Sequence, residues 1–140
     1  MKESFVFTLS EYDTFRVDGS KRVNINDASE FLYTFWNPTV GFGKKQMYAT
    51  PYRFTDEALD LLYVSLMVFC VDRSVSREKQ DDAWTRGLEL YIPVMAYEKW
   101  ERCKPILIQA LNFLTGDHWM IHFRERAAIT DDENKYRKGR

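Results

Sequence analysis

Apolar and polar side chains alternate over residues 4–9. Phe5, Phe7 and Leu9 fall on one side and Val6 and Thr8 on the other, which predicts a strand. The same two-residue period returns over residues 86–94, with Leu88, Leu90, Ile92 and Val94 inward and Glu89, Tyr91 and Pro93 outward. It returns again over residues 118–124, with Trp119, Ile121 and Phe123 inward. Pro93 has no N–H to give to a ladder, so it belongs at a sheet edge or at the end of its strand. After the first strand, Asp18-Gly19-Ser20 reads as the loop of a hairpin. A three-residue loop sets Phe15 opposite Val23 and Asp13 opposite Ile25, whereas a two-residue loop sets Phe15 against Arg22, so the apolar pattern favours the longer turn.

Two segments carry the helical signal. Over residues 55–72, Thr55 offers a capping hydroxyl and Asp56 and Glu57 place negative charge at the positive end of the helix dipole. Beyond Ala58 the run LDLLYVSLMVFCV is apolar nearly all round, as a helix buried on most sides would be. Residues 98–115 form the second segment, interrupted by Pro105, at which the helix either kinks or starts afresh; Gly116 suits a left-handed terminator. Residues 26–36 are ambiguous, with Asn26 or Asp27 able to cap a short helix carrying Phe31, Leu32 and Phe35 before Pro38 stops it. Residues 39–53 read as an irregular excursion broken by Gly41, Gly43 and Pro51. The order is strand, hairpin, helix, strand, helix, strand. That order predicts an α+β fold, a small, mainly antiparallel sheet with two main helices packed on one face. Residues 1–126 make a single domain and the charged residues 127–140 a tail or linker.

Composition narrows the function classes. With 140 residues, 45% apolar, and 10 Phe, 8 Tyr and 4 Trp, the chain can fill a compact core. A net charge of -1 argues against a protein whose main task is coating nucleic acid. Cys70 and Cys103 lie far apart in apolar or helical contexts, and read as reduced, buried thiols of a cytoplasmic protein. The N-terminus lacks the apolar region of a signal peptide. The longest apolar run, around residues 61–71, is about half the ~20 residues a bilayer span needs, so a soluble protein with no membrane partner is expected.

Candidate chemistry is sparse. His118 and His122 sit at a spacing that pairs two imidazoles on a helix, but on a strand four residues span about 13 Å, too far to share one ion. Gly41-Phe42-Gly43-Lys44-Lys45 lacks the strand, the spacing and the Ser/Thr of a phosphate loop, and reads as a surface loop with two lysines. The acid pairs Asp81-Asp82 and Asp131-Asp132 read as solvating charges. No nucleophile elbow, zinc signature or dinucleotide fingerprint is present, so neither cofactor, metal nor catalytic residue is assigned. Trp36, Tyr48, Tyr52 and Phe54 lie among Lys44, Lys45 and Arg53; such rings either cover the core beneath a long loop or stack single-stranded bases. The densest charge lies in VDRSVSREKQDDAWTR, residues 71–86. Arg73 suits a helix C-terminus, Trp84 would anchor the loop to the sheet, and the middle, residues 74–82, reads as solvated filler.

Three stretches, ALDLLYVSLMVFCVDRSVSRE, AWTRGLELYIPV and LNFLTGDHWMIHF, together resemble the N-terminal region of the QueC-like proteins. These are relatives of 7-cyano-7-deazaguanine synthase found in bacterial anti-phage systems such as Qat. The resemblance covers residues 55–123. In that family the region precedes an ATP-pyrophosphatase domain whose S-G-G-x-D-S loop binds ATP; neither that loop nor the zinc-binding cysteines of deazaguanine synthases occur here. The resemblance therefore implies a defence context and a non-catalytic accessory module, with no enzymatic site in these residues. The module would mediate assembly with another protein subunit, or present a substrate to an adjoining ATP-dependent QueC-like domain, through Asp72, Arg73, Trp84 and Arg86, with Asp117 beside them if the loop after the second helix lies near. The alternative is a single-stranded nucleic-acid-binding module using Lys44, Lys45, Tyr48, Tyr52 and Arg53.

Overall fold

The computed structural model describes residues 2–9, 12–24, 55–80, 82 and 84–126. In chain order these form β1 (Lys2–Thr8), β2 (Lys21–Asn24), α1 (Asp56–Ser74), β3 (Gly87–Val94), α2 (Tyr97–Thr115) and β4 (His118–Glu125). The strands make one sheet of order β2-β1-β3-β4, and every pairing in it is parallel.

The expected antiparallel sheet is therefore corrected. The turn at residues 18–20 exists: Ser20 N–H donates to the carbonyl of Val17 (3.1 Å), and Gly19 supplies a positive φ of 80°. It closes no hairpin, however, because residues 13–17 are not a strand. They cross the sheet, where Phe15 lies against Tyr91 (ring centres 6.0 Å apart) and Asp13 pairs with Arg124, and β2 then runs alongside β1 with Phe7 opposite Val23. Alternation in β1 and β2 is equally compatible with either direction. The partners that pull residues 13–17 across the sheet lie more than 70 positions away in sequence.

The inward sets of β3 and β4 are as the alternation predicts. Leu88, Leu90, Ile92 and Val94 join Trp119, Ile121 and Phe123 in the core with Phe5, Phe7 and Leu9. From α1, Leu59, Tyr63, Met67 and Val71 pack on the same face, and α2 adds Trp100, Leu107, Ile108 and Leu111. Both helices thus cover one face, as right-handed crossovers stepping in one direction across a parallel sheet require. β3 is central, so Pro93 sits at a strand end and not at a sheet edge, facing Arg124 in register. Glu89 of the same strand, expected outward, is buried on the second face, where Lys2 and His122 close over its carboxylate.

The helices depart from expectation in instructive ways. Thr55 Oγ1 caps α1 by accepting from Ala58 N–H (3.2 Å). α1 is not buried on most sides, because Leu61, Phe69 and Cys70 face outward. Cys103 is exposed too, so both thiols are free and accessible instead of buried. α2 is one continuous helix with Pro105 inside it, on an exposed position of the helix. Gly116 ends α2 at φ 74°, its N–H donating to Asn112 carbonyl (2.9 Å). The expectations for residues 26–36 and 39–53, and for the tail 127–140, lie outside the described residues, as do Lys44, Lys45, Tyr48, Tyr52 and Arg53. No described helix is long and apolar enough to cross a membrane.

Candidate functional site

At the amino edge of the sheet the chain brings together residues from the end of α1 and from two connections, α1 to β3 and α2 to β4. Asp117, in the turn between α2 and β4, has a fully buried carboxylate. Its Oδ2 accepts from Arg86 Nη2 (2.7 Å), Arg86 Nε (3.2 Å) and Arg77 Nη2 (3.0 Å); its Oδ1 accepts from Arg77 Nη1 (2.8 Å) and from the backbone N–H of Arg86 (2.9 Å). Arg86 itself is 2% exposed. Its remaining donors reach Asp72 Oδ1 (2.6 Å) and the carbonyls of Asp72 and Val75 at the C-terminus of α1. Burial alone would push the Asp117 carboxyl up; the hydrogen bonds from Arg86 and Arg77 and the Arg86 charge more than offset this and hold it below its ordinary value. Desolvation likewise works against the Arg86 cation, and its bonds to Asp117 and Asp72 hold its pKa above the ordinary value.

Of the five residues singled out in the sequence, Asp72, Arg86 and Asp117 converge on this cluster, while Arg73 and Trp84 lie exposed beside it. The cluster ties the end of α1, the start of β3 and the start of β4 into one unit. Trp84 does not anchor the loop, as it is 67% exposed. Arg77 does: besides Asp117 it donates to the carbonyls of Trp84 (2.8 Å) and Thr115 (3.1 Å), and its guanidinium lies 5.6 Å from the Trp84 ring centre. The middle of the loop is therefore not filler, since Val75 and Gln80 are also buried. Arg77 looks like any solvated arginine in its local sequence. Val75, a lone apolar residue inside a charged run, is the one signal that the segment folds back on the core. Asp82 Oδ1 then accepts from Trp84 N–H (2.9 Å) and Thr85 N–H (2.7 Å), fixing the backbone that presents the indole.

The carboxyl edge of the sheet is where doubly wound folds hold small ligands, with the N-terminus of a helix aimed at an anion. Here Asp60 of α1 occupies that position. Its buried carboxylate accepts from Met95 N–H (2.9 Å), Ala96 N–H (2.8 Å) and Trp100 Nε1 (3.1 Å), and so ties α1 to the residues that lead into α2. Burial pushes its pKa above the ordinary value despite those bonds. Next to it an open cleft of about 420 Å³ is bordered by Asp56, Glu57, Glu98 and Glu125, with Lys99 and Arg102; Lys99 is already paired with Glu57.

On the second face, His122 and His118 lie on a strand, as the alternation requires. His122 stacks on Tyr91 (4.5 Å) and its Nε2 lies 2.9 Å from Glu89 Oε2, whose other oxygen faces Lys2 (3.3 Å). Burial would raise the Glu89 carboxyl, and the bonds from His122 and Lys2 hold it below its ordinary value instead. Among the described residues no group of three or more His, Cys, Asp or Glu side chains is placed to hold a metal.

Compared with known proteins, the chain matches no family model, no curated protein and no solved structure. The reading of the site therefore stands on its geometry. The amino-edge cluster is saturated with internal bonds and leaves Trp84, Arg73 and the half-exposed Asp72 side chain facing solvent.

Proposed function

We propose that this chain is a non-catalytic interaction module of a QueC-like anti-phage defence protein, acting in the cytoplasm. It would bind a partner subunit, or an adjoining deazaguanine-synthase-like domain, through the rim of Trp84, Arg73 and Asp72. The observation that carries the reading is Trp84. A large indole is held in solvent by a loop whose backbone is pinned by Asp82 and whose base is locked by Arg77 and Asp117. Keeping an aromatic ring exposed on a rigid support lowers the ordering cost of binding, and Trp and Arg dominate the energetics of protein interfaces. The defence context comes from the resemblance of residues 55–123 and supplies the class of partner.

The test is Trp84→Ala combined with Arg73→Glu, read by co-purification of the neighbouring subunits and by phage protection in the full system. Both side chains are exposed and outside the core, so the circular dichroism spectrum should match wild type while partner binding falls at least tenfold. Wild-type partner binding and phage protection by this variant would sink the proposal.

A further inference from the structure

We infer that α2 is also a self-association helix, through which two copies of this chain pack antiparallel. This goes beyond the interaction-module reading and rests on different residues. Among the described residues one side of α2 is used by the fold: Trp100, Leu107, Ile108 and Leu111 touch the core, and no residue of the helix is fully buried. A second apolar stripe runs along the outside. Cys103, Ile106, Ala110 and Phe113 recur at intervals of three, four and three, the a/d spacing of a helix seam. Ile106 is 72% and Phe113 87% exposed, and Cys103 and Ala110 face solvent with them. A surface helix of a lone domain presents charge on that side.

The occupant is identified by the order of sizes along the seam. A symmetric pair of antiparallel helices centred on position 108 sets Cys103 against Phe113 of the second copy and Ile106 against its Ala110. Each layer then joins one large and one small side chain, and each contact is made twice, as an isologous interface requires. Parallel pairing would set Phe113 on Phe113 and Ala110 on Ala110, a clash and a gap. Charge agrees with the antiparallel sense. The last turn of α2 has no basic residue of its own, and the antiparallel arrangement lays Arg102 of the second copy beside it and beside the Phe113 ring.

The area is also sufficient. Along the Leu107 side the seam continues into an apolar groove of about 340 Å³ between the helices, bordered by Leu61, Val68, Phe69 and Leu111. With Leu114, 76% exposed, the exposed apolar side chains of this face offer on the order of 600 Å², at the upper limit for a monomer's largest patch and near the ~800 Å² each partner brings to a standard interface.

Light scattering on the full chain across a concentration series should show mass rising from 16.7 kDa towards twice that value. Ile106→Glu should return it to the monomer with an unchanged circular dichroism spectrum. Register is tested by Phe113→Cys in a Cys70→Ser background. Mild oxidation should give a covalent dimer through native Cys103, lost when Cys103→Ser is added. A wild-type chain that stays monomeric to ~0.1 mM overturns self-association, including the outcome in which a different protein covers this face. A dimer that survives Ile106→Glu overturns the seam, and failure of the Cys103-dependent cross-link in a dimer overturns the register.

Discussion

Replacing Asp117 by asparagine should unfold this protein more effectively than its size and shape suggest. The side chains are nearly isosteric, so packing is kept and the change is confined to hydrogen bonding and charge. In the wild type Oδ2 receives three N–H groups, from Arg77 Nη2, Arg86 Nε and Arg86 Nη2. An amide nitrogen in that place meets three donors with two more of its own. Turning the amide over only moves the conflict to Oδ1, which receives Arg77 Nη1 and the Arg86 backbone N–H. Either way Arg86, with a side chain 3% exposed, keeps its charge inside the protein without its main counter-ion. Removing one partner of a buried pair costs about 3–5 kcal/mol, and an isolated domain holds only ~5–15 kcal/mol in total. Asp117→Asn should therefore lose about 3 kcal/mol or more, Arg77→Ala about 1–2 kcal/mol because Arg77 is one-third exposed, and Trp84→Ala within ~0.5 kcal/mol of nothing. Urea unfolding followed by far-ultraviolet circular dichroism, fitted with a shared slope, gives the three values. A loss below about 1 kcal/mol for Asp117→Asn would refute the claim that this cluster locks the amino edge of the sheet.

Three other outcomes follow from the same geometry. Asp60→Ala should cost about 1–3 kcal/mol, because three donors at the start of α2 lose their acceptor, and Trp100 fluorescence should shift as its indole N–H is freed. Asp13, Glu89 and Asp117 have carboxyls held below their ordinary values of 3.8, 4.5 and 3.8, so each contributes stability that is complete above the ordinary value and lost as pH falls through the lowered one. The melting temperature should therefore drop below about pH 4, while Asp60, raised by burial, acts with the opposite sign and favours folding as it takes up its proton. Gly116→Ala should cost about 1 kcal/mol in thermal unfolding, all of it conformational, since a Cβ there meets nothing within 4 Å but must adopt a φ of 74°.

What the sequence could and could not disclose divides along physical lines. The inward faces of β1, β3 and β4 were legible because a period of two places every second side chain in the core whatever the neighbouring strand does. Sheet direction was not, because that period is the same in parallel and antiparallel ladders. The connections carried the missing signal: β3 and β4 flank a 19-residue helix with a Gly116 terminator, and a strand, helix, strand sequence of that kind joins parallel strands. The Gly19 turn outweighed that signal because it looks like a hairpin loop, although residues 13–17 are drawn to Tyr91 and Arg124 instead of to β2. At the site, Asp72, Arg86 and Asp117 stand out as charges flanking apolar elements. Arg77 does not, since the four hydrogen bonds of its side chain and its contact with the Trp84 ring are all made to residues at least seven positions away. Both cysteines were misplaced for a simpler reason: an apolar sequence neighbourhood does not say which side of the helix a residue occupies.

The two edges of the sheet have the same construction, and that bears on what the protein can recognise. At each edge a buried carboxylate is satisfied by donors from another part of the chain: Asp117 by Arg77 and Arg86, Asp60 by the Met95 and Ala96 N–H groups just before α2 and by the Trp100 indole. A phosphate approaching the start of α2 would find Asp60 already holding the Met95 and Ala96 N–H groups, and would meet Asp56, Glu57, Glu98 and Glu125 around the cleft against Lys99 and Arg102 alone. The electrostatic cost has the wrong sign for a nucleotide pocket at this position, even though the strand order is the one that elsewhere builds such pockets. Polar groups at both edges thus hold helices to the sheet. Among the described residues, the large apolar groups external at the amino edge and on α2 are the Trp84 indole and the Ile106–Phe113 side of the helix. A protein surface satisfies such groups and a small polar metabolite does not.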